Sequence, residues 1–336
     1  MRTPSLALCL GLLGCNAVSS GGFDPDASTN GADAPAGTDA GSRPDMGAAR
    51  DVPTRADTGS PAPGDPATRS TDEVCARFRA ESAPARSAPG WTPGAMSCDP
   101  GTLSAQTRSA AVQSLNLFRW LAGLGPVGED NARHDSSQAC AVLMERNGML
   151  SHTPPNSWMC WSEAGYDAAS HGNLIGGRGV GANAWNSIER WIDDRNDVTR
   201  TLGHRRWMLY PTLGDVGYGQ ASAFACLYVL GGFRGSRTRP WVAWPNAGPV
   251  PAEVIPPSWT FSTQTLGWTE GVSAVRVTQN GAPVAITAVA RRAPNYGDDT
   301  VSWDVPSVTP GAVYAVEITG IAMGTVRYDV RPVACP

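Results

Sequence analysis

Three of the four histidines, His152, His171 and His204, fall between Met149 and Gly219, with Asp193 and Asp194 between the last two. Neutral imidazoles and a carboxylate are zinc ligands, and three protein ligands with one open position make a hydrolytic arrangement. His152, His171, His204 and Asp194 are therefore candidates for a divalent metal such as zinc, and His152, Asp194 and His204 for catalysis. Such a site requires ring nitrogens at about 2.0–2.1 Å from one ion. The same side chains could instead form a hydrogen-bonded cluster that ties loops to a sheet, with no turnover. On residue types alone, both readings stand.

The elements that must carry these groups are legible as periodicities. Ala111, Leu115, Phe118 and Ala122 recur at helical spacing, and Gly123 to Pro126 stops that helix. A second helix is expected from Asp135 to Asn147, capped by Gly148 in the left-handed conformation, which leaves His152 on a loop. A third, Ala184 to Arg195, ends at Asp194, where a carboxylate is unfavourable for the helix dipole and is better explained by a contact elsewhere. Gly203 and His204 open a short helix ended by Pro211; strands follow at Gly214 to Gln220 and Phe224 to Phe233, and a short helix is expected around Cys75. Helices followed by strands make an α+β pattern. After the prolines at 245, 249, 251, 256 and 257, about six short alternating strands, with a hairpin signal at Asn280-Gly281, suggest a small immunoglobulin-like β-sandwich.

Composition narrows the chemistry. All 26 basic residues are arginine, which removes Schiff-base chemistry, a phosphate-loop lysine and a Ser-Lys dyad. A net charge of −4 without a basic cluster argues against a nucleic-acid partner. Arg2, the apolar run Leu6 to Leu13 and the junction Leu12-Leu13-Gly14-Cys15 have the parts of a secretory signal, too short to span a bilayer. The Cys15 junction resembles a bacterial lipoprotein signal, implying a lipidated Cys15 and an exported protein held to the membrane. Residues 16–70 offer almost nothing to bury and are expected to be a disordered tether reaching roughly 40 Å. Six cysteines remain, Cys75, Cys98, Cys140, Cys160, Cys226 and Cys335; short loops favour pairing Cys75 with Cys98 and Cys140 with Cys160. Asp298 and Asp299 read as an exposed turn rather than a calcium site, and Trp158 and Trp161 as candidates to line an apolar groove beside His152.

The ordered motifs Asn116-Leu117-Phe118-Arg119, Ser151-His152, Gly172-Asn173-Leu174-Ile175, Trp191 to Asp194, Gly203-His204-Arg205 and Val216-Gly217-Tyr218-Gly219 resemble the CAP superfamily of cysteine-rich secretory, antigen 5 and pathogenesis-related proteins, in its bacterial extracellular branch. The resemblance implies a three-layer α-β-α sandwich with a shallow cleft carrying two histidines and two acids, sometimes with a divalent metal. Carried over, the histidines fall on His152 and His204 and one acid on Asp194; the other belongs at Gly172, with His171 next to it as a substitute. The expected organisation is a signal over 1–15, tether 16–70, CAP-like domain 71–240, proline-rich linker 241–253 and β-sandwich 254–336. The function expected is a lipid-anchored binding or scaffold module of the cell envelope for a small lipid or a protein partner, with enzymatic activity left open. The alternative is a metal-dependent hydrolase or protease acting on envelope peptides.

Overall fold

The computed structural model describes residues 64–336 apart from 89, 196–199 and 293–294. The expected signal and most of the expected tether lie outside the described residues. Residues 64–70, counted above with the tether, are docked: the Arg69 guanidinium lies 3.7 Å from the Trp120 ring centre and donates to the Trp120 carbonyl at 2.7 Å.

Helix α1 (Thr71–Ser87) is a full-length helix rather than a short one. Ser70 caps it by accepting from the Glu73 amide, acidic Asp72 and Glu73 occupy its first turn, and Val74, Phe78, Ser82 and Ala85 form its buried stripe. Helices α2 (Ala105–Leu121), α3 (Asn131–Asn147), α4 (Glu163–Ser170), α5 (Ala184–Asp193) and α6 (Gly203–Met208) follow, interleaved with strands β1 (Gly172–Gly176), β2 (Gly217–Gln220) and β3 (Phe224–Tyr228). Gly148 closes α3 at φ 65°, the expected left-handed cap.

The three strands form an antiparallel sheet in the order β1-β3-β2. Side-chain alternation divides it between two helical layers. Leu174 and Cys226 pack with residues of α3 and α4, whereas Tyr218, Ala225 and Leu227 pack with α1, α2 and α5. On β2 the residues facing α3 are glycines for a steric reason: a Cβ at Gly217 or Gly219 would lie 2.1 or 2.2 Å from α3 backbone atoms. This is the three-layer α-β-α arrangement the motifs implied.

The second half contains two more sheets. One runs β4 (Trp241–Trp244), β6 (Ser258–Thr263), β10 (Asp299–Asp304), β9 (Thr287–Arg292). The other runs β5 (Gly248–Pro251), β12 (Gly324–Val333), β11 (Tyr314–Ile321), β7 (Ala274–Gln279), β8 (Ala282–Pro283), with β5 parallel to β12. Trp259, Phe261, Val301 and Trp303 of the first share a core with Val277, Tyr314, Val316 and Ile318 of the second.

The stretch 241–253, read as a linker, supplies an edge strand to each sheet. Pro249 and Pro251 are compatible with β5 because edge strands tolerate a missing amide. Strand β4 also divides two cores: Val242 and Trp244 pack among the helices, Ala243 in the sandwich.

The disulfides differ from the short-loop expectation. They join Cys75 to Cys335, Cys98 to Cys160 and Cys140 to Cys226. Packing overrides loop entropy here: α1 lies beside the end of the chain, and Cys140 on α3 faces Cys226 on β3 across the layer boundary.

Candidate functional site

Asp194 and His204 meet. Asp194 follows the last residue of α5 at φ 51°, an uncommon conformation for a residue with a side chain, and its carboxylate is buried. His204 Nδ1 donates to Asp194 Oδ1 at 2.8 Å, and the Arg205 amide donates to Asp194 Oδ2 at 3.3 Å. The acid that opposes the dipole at the end of α5 thus complements the first turn of α6, the external contact its position called for.

Arg205 completes this corner. Its guanidinium is buried and donates to the Ile192 carbonyl, to the Asp193 carbonyl at 2.6 Å and to the Ser258 carbonyl of β6 at 2.7 Å. Two of these acceptors are carbonyls at the end of α5, which lack partners within the helix. Burial pushes the guanidinium down to about 10, partly offset by Asp194, Asp193 and Asp304, so it stays cationic at neutral pH. Nearby, Arg200 donates to both carboxylate oxygens of Asp304 at 2.7 Å, and Ser258 Oγ donates to Asp304 at 2.6 Å. The sandwich therefore braces the segment that carries His204.

His152 is an exposed loop residue whose Nδ1 donates to the Ala169 carbonyl at 2.8 Å, near the end of α4. Four residues on, Asn173 donates to the His204 carbonyl at 3.0 Å. Segment 169–173 is thus a common spine: His152 hangs from one end and the His204 turn from the other. In both rings Nδ1 meets an oxygen acceptor, a contact that fixes the ring's orientation.

Gly172, where the resemblance called for a second acid, has no room for a side chain. A Cβ there would sit 2.5 Å from the Ala168 carbonyl oxygen and 3.1 Å from that of Leu227. His171 is engaged elsewhere: Nδ1 lies 3.1 Å from Asp167 Oδ1 and 3.0 Å from Ser170 Oγ, and its ring stacks on Tyr228 at 5.5 Å. Tyr228 Oη donates to Asp167 Oδ2 at 3.0 Å, closing a second small cluster. Among the described residues, no three His, Cys, Asp or Glu side chains stand together as a metal-holding group.

Asp298 and Asp299 are buried rather than on an exposed turn. Arg237 grips Asp298 through two 2.7 Å bonds, and Arg291 grips Asp299 at 2.9 and 3.0 Å. Motif reading also missed what the other motif residues do. Asn116 exchanges two hydrogen bonds with the Val127 backbone at 3.0 and 2.8 Å. Arg119, fully buried, donates to the carbonyls of Gly125, Met208 and Tyr210, all at 2.9 Å. An arginine inside an apolar helical stripe was the available signal, since such a group survives burial only with acceptors around it.

Residues 112–230 match the family model described as CAP, Cysteine-rich secretory protein family. Among solved structures, the chain is similar to an extracellular protein containing a SCP domain from Bacillus anthracis str. Ames. That likeness is 14% identical with a TM-score of 0.29, over 39% of this chain and 44% of the other. The chain thus spans less than half the length of that structure. No curated protein matches it. Residues 112–230 thus resemble this family, and the sandwich follows them.

Proposed function

We propose that this protein is an exported, lipid-anchored module of a bacterial cell envelope, attached through Cys15, whose CAP domain and β-sandwich bind or scaffold a small lipid or a protein partner. The observation that carries the binding reading is the use made of the polar groups at the site. His152 is spent on a backbone carbonyl, Asp194 on a histidine and a helix amide, and Arg205 on the end of α5 and on β6. Groups committed to holding loops make a rigid recognition surface. Three disulfides suit the oxidising compartment that export implies.

For a divalent ion the proposed donors are His152 and His204, with Asp194 as the carboxylate that orients the His204 imidazole. Gly172 adds no ligand and His171 contacts Asp167, so zinc is expected to bind weakly at best. Activity on a peptide library, with and without zinc, tests the reading: we expect no turnover. Zinc-dependent cleavage lost in His204→Ala would replace the binding module with the hydrolase. Anchoring is tested separately by Cys15→Ala, which should move the protein from the membrane fraction to the soluble one.

A further inference from the structure

Two segments of this chain carry no Asp, Glu or Arg: the nine residues 90–98 and the sixteen residues 147–162. The Cys98–Cys160 disulfide fastens one to the other, and Cys160 Sγ lies 3.6 Å from the Ser97 carbonyl. The Asn147 side chain then binds the Met159 backbone at both its amide and its carbonyl, 3.1 and 2.9 Å, drawing the second segment back against the end of α3, where Met149 and Leu150 emerge. Trp161 meets Tyr166 at 6.2 Å. Of the eleven exposed large hydrophobics among the described residues, six belong to this corner: Met96, Met149, Leu150, Met159, Trp161 and Tyr166. Trp161 also lines an open pocket of about 450 Å³, with Trp158 and the disulfide in its walls.

Isolated surface hydrophobics need no explanation, whereas a clustered, uncharged set does. We propose that this stapled apolar face is a membrane-docking surface that inserts into the interface of a neutral, zwitterionic bilayer. Tryptophan and tyrosine favour that depth because each has an apolar body and a polar tip, and methionine and leucine supply apolar area. Charge selects the kind of lipid. Apart from the titratable His152 the two segments offer no cation to anionic headgroups. Of the charged residues directly bordering them Asp99 and Glu163 are acidic and Arg146 is basic, so the border carries no net attraction for such headgroups. Proximity to a bilayer rests on the exported, anchored reading above. Docking would set the domain's orientation on the membrane, which an anchor at residue 15 leaves open.

The test uses residues 15–336 carrying Cys15→Ser, which lack both the apolar leader and the acyl chains, mixed with phosphatidylcholine vesicles. We expect co-sedimentation, a blue shift of tryptophan emission, and quenching by brominated acyl chains, all little changed by an about tenfold rise in salt. Met159→Asp with Trp161→Ser should weaken partitioning by at least about tenfold, given the cost of placing a carboxylate in a membrane. Both positions are exposed, so an unchanged melting curve and circular dichroism spectrum will show that the variant folds. No partitioning of the parent, or full partitioning of the double variant, overturns the proposal. So does binding that demands anionic lipid and disappears with salt, or a concentration-dependent dimer abolished by the same two substitutions. Because Cys15 is absent from the sample, these results are independent of whether the native chain is acylated.

Discussion

The corner at His204, in the first turn of α6, and the face at Cys160, on the loop after α3, are held by opposite means. At His204 the restraints are polar and converge from three directions: Asp194 from α5, Asn173 from β1, and the sandwich through Ser258 and Asp304, with Arg205 and Arg200 as links. At Cys160 the flanking residues are uncharged, and a covalent bond does the holding. A region that must leave its surface apolar has no ion pairs to spend on its own geometry. A region buried at a junction between sheets and helices can be fixed by arginine, whose planar donors satisfy several carbonyls at once.

This contrast can be broken at either end. Replacing Cys98 and Cys160 by serine should have the largest effect, about 4 kcal/mol by chain entropy for a loop of this size. Chemical denaturation should show that loss, with accelerated proteolysis confined to 90–98 and 147–162. Uniform loosening of the molecule would mean that the staple is not local. Next, Arg205→Met removes the donor to three carbonyls while keeping an unbranched stem. It should lower stability by about 3 kcal/mol and broaden the His204 ring resonances. Unchanged His204 resonances would separate the arginine from the site.

The smallest effect expected is a pH dependence. Burial alone would raise the Asp304 pKa, but hydrogen bonds from Ser258 and Arg200 and the Arg200 charge hold it below the usual value. A depressed folded pKa gives stability that is present above the unfolded value and lost as pH falls through the folded one. Asp304→Asn should therefore be less stable than the parent at neutral pH, with the two converging in acid. A constant difference across that range would assign the loss to packing.

Much of the helical half was legible because its helices repeat apolar residues at helical spacing and end in strong signals, Gly148 above all. The pairing of Asp194 with His204 was legible too, partly because an acid at a helix end demanded an outside partner. Less could be seen wherever distant segments decide the outcome. Cys75 finds Cys335 across a separation of 260 residues, a pairing that no local pattern encodes. Strand β4 reads as linker because Trp241 to Trp244 is too short for a clear alternation, and only the two cores on its faces make it a strand. The crowding at Gly172 likewise comes from Ala168 and Leu227, so the missing acid could be read but not the reason for it.

The bond between Cys75 and Cys335 has a mechanical consequence. It bolts the first helix to the penultimate residue of the chain, leaving residues 76–334 inside one covalent loop. Tension applied between the N-terminal side of Cys75 and the C-terminal side of Cys335 passes through two sulfur atoms and bypasses the hydrophobic cores. Force entering before Cys75 and leaving after Cys335 would thus be carried by a short rigid link, and the residues inside the loop would keep their shape under pull.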